Sequence, residues 1–162
     1  NGLSPIEIGF LITPWPAVLV IVAPIAGRLA DRYPAGLLGG LGLAVMTIGL
    51  VLVLTMPADV THLGVGWRLM ICGTGFGFFQ APNNRLLIGS APPDRAGAGS
   101  GMLSTSRLVG QTTGSALVAV IFGLTHGMAD AVTVATNISI GLAAGLAALG
   151  TVLSWARLAT RA

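Results

Sequence analysis

Charged residues along this chain fall in short clusters and leave five long uncharged stretches: residues 8–27 (20 residues), 33–58 (26), 69–84 (16), 108–129 (22) and 131–156 (26). All but the third are rich in Leu, Val, Ile, Ala and Gly. An α-helix needs about 20 apolar residues to cross a ~30 Å hydrocarbon core. Four stretches reach that length. The third is bounded by Arg68 and Arg85, whose aliphatic stems can carry their guanidinium groups out to opposite interfaces. The pattern therefore predicts five spanning helices, near residues 8–26, 35–56, 67–88, 99–125 and 136–156. Apolar and polar residues do not alternate as they would in a transmembrane β-barrel. The expected fold class is an all-α integral membrane protein.

Composition agrees. The 162 residues include eight Arg, four Asp, one Glu and no Lys, so 8% are charged and 54% hydrophobic. A soluble domain carries roughly a quarter charged residues. The same hydrophobicity excludes a disordered chain. A net charge of +3 from scattered arginines makes no basic face, so no nucleic-acid partner is expected. Cys72 stands alone, which rules out an intramolecular disulfide and argues against a thiolate metal cluster. Arginine without lysine suggests a GC-rich bacterial genome.

The arginines orient the helices. The first connection holds Arg28 and Arg32, the third Arg85 and Arg95, and the C-terminal tail Arg157 and Arg161; the second and fourth connections hold none. Positive residues stay on the cytoplasmic side, which makes the tail and the first and third connections cytoplasmic. The N-terminal segment and the loops bearing His62 and His126 then face outward. Trp15, Trp67 and Trp155 fall near span ends, where indole rings prefer the interface.

The spans differ in polarity. The second and fifth are almost purely apolar and are expected at the lipid boundary. The third carries Phe76, Phe79, Gln80, Pro82, Asn83 and Asn84, with Gln80 and Asn84 on one face. In the fourth, Ser100, Ser104, Arg107, Gln111 and Ser115 form one stripe. Polar side chains at membrane depth belong against protein or a water-filled cavity. Both polar faces lie in the cytoplasmic halves of their helices, so they can meet. They serve either as interhelical hydrogen bonds, worth about 0.6–2 kcal/mol each, or as a substrate pathway through Phe76, Gln80, Asn83, Asn84, Arg107 and Gln111. Glycines four apart, including Gly73 with Gly77 and Gly110 with Gly114, allow close helix packing. Pro14, Pro16, Pro24 and Pro82 each remove a backbone donor inside a span and bend the helix.

Catalytic chemistry has no foothold here. No carboxylate lies mid-span, no Ser or Thr shares a span with a His, and Cys72 reads as packing. An enzyme is not expected, nor a metal.

The segment Gly27-Arg28-Leu29-Ala30-Asp31-Arg32 resembles a signature of the major facilitator superfamily, although Pro34-Ala35 follow where a Gly and a basic residue are usual. Gly75-Phe76-Gly77, Gln80-Ala81-Pro82-Asn83-Asn84-Arg85, Gly99-Ser100-Gly101, Arg107, Gly110-Gln111 and Gly114 look like the last helices of its fourteen-span drug:proton antiporter branch. The resemblance covers the whole chain. It implies that residues 1–162 are a single domain, helices two to six of a six-helix C-terminal half, with the N-terminal half and the first helix of this half absent. The lack of an initial Met and the odd number of spans point the same way. It implies alternating access around a midplane site, with Gly27, Arg28, Asp31 and Arg32 as a cytoplasmic gate motif. Asp31 is placed to complement the positive N-terminus of the second span. The expected function is proton-coupled export of hydrophobic or cationic small molecules across the bacterial cytoplasmic (inner) membrane. No cofactor is expected; the proton gradient supplies the energy. The partners are membrane lipid, the small-molecule substrate and the missing half of the polypeptide. The alternatives are metabolite uptake within the same superfamily, or a small oligomeric channel or scaffold.

Overall fold

The computed structural model describes residues 4–57, 59–92, 95–128 and 130–159, and these form helices without any strand. The helices are α1 (Pro5–Ile12), α2 (Pro14–Leu29), α3 (Ala35–Leu54), α4 (His62–Gly89), α5 (Ala96–Thr125) and α6 (Ala131–Ala159). Arg161, one of the two tail arginines used to orient the chain, lies outside the described residues, as does the side chain of Arg157.

The first expected span, 8–26, is two helices. Pro14 and Pro16 cannot donate to the carbonyls four residues back, and the helix breaks at Thr13. Thr13 holds the two pieces in line, because its amide and hydroxyl both donate to the Gly9 carbonyl, at 3.1 and 2.7 Å. Pro24 and Pro82, by contrast, sit inside continuous helices. The third span begins earlier than expected, at His62. Thr61 caps it there, its hydroxyl accepting from the Gly64 amide at 3.2 Å.

Four segments are long and apolar enough to cross a membrane: Pro5–Leu29, Ala35–Leu54, Ala96–Thr125 and Ala131–Ala156. The remaining helix, α4, has 28 residues, about 42 Å at 1.5 Å per residue. It has the length but not the hydropathy, because Arg68, Gln80, Asn83, Asn84 and Arg85 interrupt its apolar run.

Helix α4 packs most extensively on α3, and α3 in turn on α6; α2 covers another side of α4, and α5 touches α6 and α4 lightly. The apolar α3, expected at the lipid boundary, is therefore wedged between α4 and α6. Its composition explains how. Gly39, Gly40, Gly42 and Gly49 are buried, while Leu37, Leu41, Ile48 and Val51 are exposed. Lipid tails solvate leucine as well as protein does, so helix association rests on close backbone approach at small residues. Other buried positions follow the same rule: Ala26 on α2, Cys72 on α4, and Ala135, Ala144 and Ala147 on α6. One hydrogen bond spans α6 and α3, from the Ser154 hydroxyl to the Gly36 carbonyl at 2.8 Å.

The tightest approach is between Gly42 and Gly75. A Cβ on Gly42 would overlap the Phe79 amide, and one on Gly75 would overlap the Met46 amide and lie 2.6 Å from the Gly42 carbonyl. Overpacking of this kind costs about 1–3 kcal/mol. Gly75→Val is therefore expected to lower the melting temperature in detergent well below that of Gly101→Val, whose Cβ has nothing within 4 Å. Equal melting temperatures would show that α3 and α4 do not approach so closely.

Candidate functional site

Two faces of α4 are committed to neighbours, and a third meets α5. Toward α2, a Cβ on Gly73 would come within 2.8 Å of the Trp15 carbonyl, and one on Gly77 within 2.9 Å of Val22 Cγ1. These two glycines let α2 lie against α4. Gly110 and Gly114, the matching pair on α5, have nothing within 4 Å, so no described helix packs closely there. The α5 helix is exposed along most of its length, and Thr125 is its one buried residue among those described.

Between α4 and α5 lies an open cavity of about 430 Å³. Its lining contains Phe76, Gln80, Asn83 and Asn84 from α4 and Arg107 and Gln111 from α5, so all six pathway residues read from the sequence face one space. Phe79, Leu87, Leu103, Ser106 and Gly110 complete its wall; the sequence reading did not assign these five to the pathway. Leu87 and Leu103 carried no signal, because an apolar residue beside a polar stripe looks like lipid-facing surface. Arg107 Nη2 donates to Asn84 Oδ1 at 3.4 Å, a long bond that links the two helices across the cavity. On the far side, the Phe76 ring packs against Trp15 of α2, with centroids 6.1 Å apart and planes at 45°. Apolar walls with a few convergent polar groups are the usual make-up of a small-molecule site. Arg107 is the one formally charged residue among the described residues of the lining.

The segment read from the sequence as a gate motif covers the end of α2 and the α2–α3 connection, at the same end of the bundle. Asp31 forms an ion pair with Arg85 of α4. The same Arg85 Nη1 donates to the Gly27 carbonyl at 3.3 Å. A turn sets this up: the Asp31 amide donates to the Arg28 carbonyl at 3.2 Å and the Arg32 amide to the Leu29 carbonyl at 3.0 Å. Arg28 and Arg32 line an open hollow beside the pair, with Asp31 and Tyr33. Asp31 was expected to complement the N-terminus of the second span. Its observed partner is the Arg85 side chain, which sequence reasoning had read as a span boundary, an orienting charge and part of the resemblance, but not as a partner of Asp31. The signal available was weak: opposite charges on two connections assigned to the same membrane face. Among the described residues no group of His, Cys, Asp and Glu could hold a metal ion.

Asp31 and Arg85 are both about half exposed, so the pair contributes little to stability, roughly 0–1 kcal/mol. Asp31→Asn is thus expected to leave expression and melting temperature close to those of the parent while impairing turnover. Exchanging the charges, Asp31→Arg with Arg85→Asp, should recover part of it. Transport measured in membranes checks this, and an unimpaired Asp31→Asn would remove the gate role expected of this segment.

The model of the Major Facilitator Superfamily matches residues 1–115. The chain is 49% identical over 120 residues to the uncharacterized transporter YebQ of Escherichia coli, covering 74% of this chain and 26% of that protein. It is 32% identical over 161 residues to the riboflavin transporter RibZ of Clostridioides difficile, covering 95% of this chain and 35% of that protein. It is 29% identical over 121 residues to the multidrug resistance protein Stp of Mycobacterium tuberculosis, covering 73% and 22%. The chain thus spans between about a fifth and about a third of the length of these curated relatives. No solved structure matches it significantly. With its apolar helices, its glycine-packed core and a family match over most of its length, this membrane-embedded chain belongs to the Major Facilitator Superfamily.

Proposed function

We propose that this chain is part of a secondary active transporter that exports hydrophobic compounds, cationic drugs among them, in exchange for protons. The observation that carries the reading is the cavity between α4 and α5, where aromatic rings, three side-chain amides from α4 and one from α5 converge around a single guanidinium. Such a wall holds an apolar body and orients it by a few hydrogen bonds. The Asp31–Arg85 pair supplies a contact weak enough to form and break with each cycle of alternating access. In this reading α4 also crosses the membrane, as the third of five spans, its polar face turned to the pathway, and the arginine-rich connections and the C-terminus lie in the cytoplasm. The membrane is a bacterial cytoplasmic membrane. The relationship to the multidrug resistance protein Stp supports the substrate class.

The cavity lining holds no carboxylate among the described residues. The proton-carrying acid therefore belongs to the N-terminal half, which together with the first helix of this half we place outside these 162 residues. The energy source is the proton gradient, and no cofactor takes part.

Arg107 favours a second reading. A guanidinium with no carboxylate beside it among the described lining residues suits a neutral or anionic metabolite better than a cation, and the riboflavin transporter RibZ is among the relatives.

Dye efflux from cells lacking their own pumps separates the two. Drug export predicts active extrusion of a cationic dye that a protonophore abolishes and that Gln80→Ala weakens several-fold. Unchanged dye accumulation, with riboflavin movement that depends on Arg107, would support the metabolite reading instead.

A further inference from the structure

Trp15 touches the α4–α5 cavity without belonging to it. Its indole packs on Phe76 with centroids 6.1 Å apart, the one ring pair among the described residues. The described lining of the cavity holds Phe76 and not Trp15. We propose that Trp15 is a positioning residue: it holds the Phe76 ring against the cavity, and so sets the width of the molecule that the cavity admits.

Its place in the chain argues against a membrane-surface anchor. The sequence reading set Trp15 near a span end. Within the apolar segment Pro5–Leu29 it stands ten residues after the first and fourteen before the last, about 15 and 21 Å from the two ends at 1.5 Å per residue. Indole rings that mark an interface sit at the headgroup level instead. The mount of this one is stiff. Pro14 and Pro16 flank Trp15 at the start of α2, and each pyrrolidine ring locks its own backbone φ at about −65°. Gly66 and Gly73 of α4 bring the stretch against that helix. An added Cβ at Gly66 would stand 3.5 Å from Pro14 Cγ, and one at Gly73 would stand 2.8 Å from the Trp15 carbonyl oxygen and 3.4 Å from its Cα. The Trp15 backbone therefore has no room to move toward α4. Phe76, by contrast, is only half-buried. An aromatic side chain beside an open space can change rotamer unless something stands behind it. The Trp15 ring stands there, tilted by 45° to that of Phe76, an arrangement worth more than the area it buries. Side chains at a binding site keep their geometry when packing locks their rotamers. Without the indole, Phe76 would be free to fall back toward α2, and the cavity would widen on that side.

The hold on Phe76 stands on packing alone; its consequence for substrate size rests on reading the cavity as the transport pathway. The test uses the native protein with Cys72→Ala as background and Gln80→Cys, in the cavity lining, as reporter. Labelling is timed with the compact N-ethylmaleimide and with the bulky fluorescein maleimide. Trp15→Ala is expected to raise the bulky-to-compact rate ratio about fivefold, and Trp15→Phe, which keeps a ring, to leave it near that of the parent. A loosened fold would speed both reagents alike and leave the ratio unchanged. Because Trp15 acts through Phe76, Phe76→Ala should raise the ratio by itself, and adding Trp15→Ala to it should change nothing further. Trp15→Leu takes the place of Trp15→Ala if the latter does not fold. An unchanged ratio in the single variant, or a full further rise on top of Phe76→Ala, would overturn the proposal. Transport separates this from the function assigned to the cavity: Trp15→Ala should raise efflux of doxorubicin relative to the smaller ethidium. A shifted labelling ratio with an unchanged preference between the two would uphold the hold on Phe76 and remove the cavity as the substrate pathway.

Discussion

The approach of α3 to α4 at Gly42 and Gly75 is the constraint on which the rest of the structure depends. With no Cβ on either side, the two backbones come into direct contact, and at Gly49 the next neighbour is the Cys72 sulfur. Backbone contact fixes register as well as distance, because sliding either helix by one residue would drive a side chain into the gap. Gly73 and Gly77 repeat the arrangement toward α2. A helix held on two sides in this way has little rotational freedom left. Phe76, Gln80, Asn83 and Asn84 are therefore turned toward α5 by the packing of α4 and not by their own polarity.

That division of labour suits a helix too polar to be held by lipid. Arg68 and Arg85 lie 17 residues apart on α4, about 25 Å at 1.5 Å per residue. The two arginines thus reach opposite ends of the bundle, and each finds a backbone carbonyl: Gly64 for Arg68 and Gly27 for Arg85. The second contact brings Arg85 into the Asp31 turn. A half-exposed pair is the right kind of bond for that place. A fully buried pair costs about 3–5 kcal/mol to break by loss of one partner and would hold the chain in one state. An exposed one contributes at most about 1 kcal/mol and biases a conformational equilibrium without freezing it.

The helical spans were legible because charge spacing in a membrane protein reports directly on bilayer thickness. The break at Thr13 was half legible: Pro14 and Pro16 announced a bend, but whether a bend becomes a break depends on what closes around it, as Pro24 and Pro82 show. Total hydropathy, which sums over all faces, did not tell the packed face of α3 from its exposed leucine face. The direction was written instead in where its glycines fall, with Gly39, Gly40, Gly42 and Gly49 turned inward. The glycine pairs themselves were ambiguous. Gly73/Gly77 and Gly110/Gly114 have the same spacing, and only the first pair meets a helix among those described. The meeting of the two polar stripes could be read in advance, because both lie in corresponding halves of consecutive antiparallel spans. The pairing of Asp31 with Arg85 could not, since nothing local links a turn to the distant end of another helix.

The charge of the α4–α5 cavity carries a consequence for the proposed exchange. Arg107 has a neutral partner, Asn84, at 3.4 Å, and the described lining offers it no acid. A guanidinium near membrane depth is costly unless water or an opposite charge reaches it. In an exporter of cations, the acid that neutralises Arg107 and the acid that binds the substrate both have to face this cavity from outside these helices. One carboxylate serves both purposes economically: it pairs with Arg107 when empty, and it releases Arg107 when a proton or a cationic substrate takes its place. Proton and substrate then compete for a single group, which is the minimum requirement for exchange.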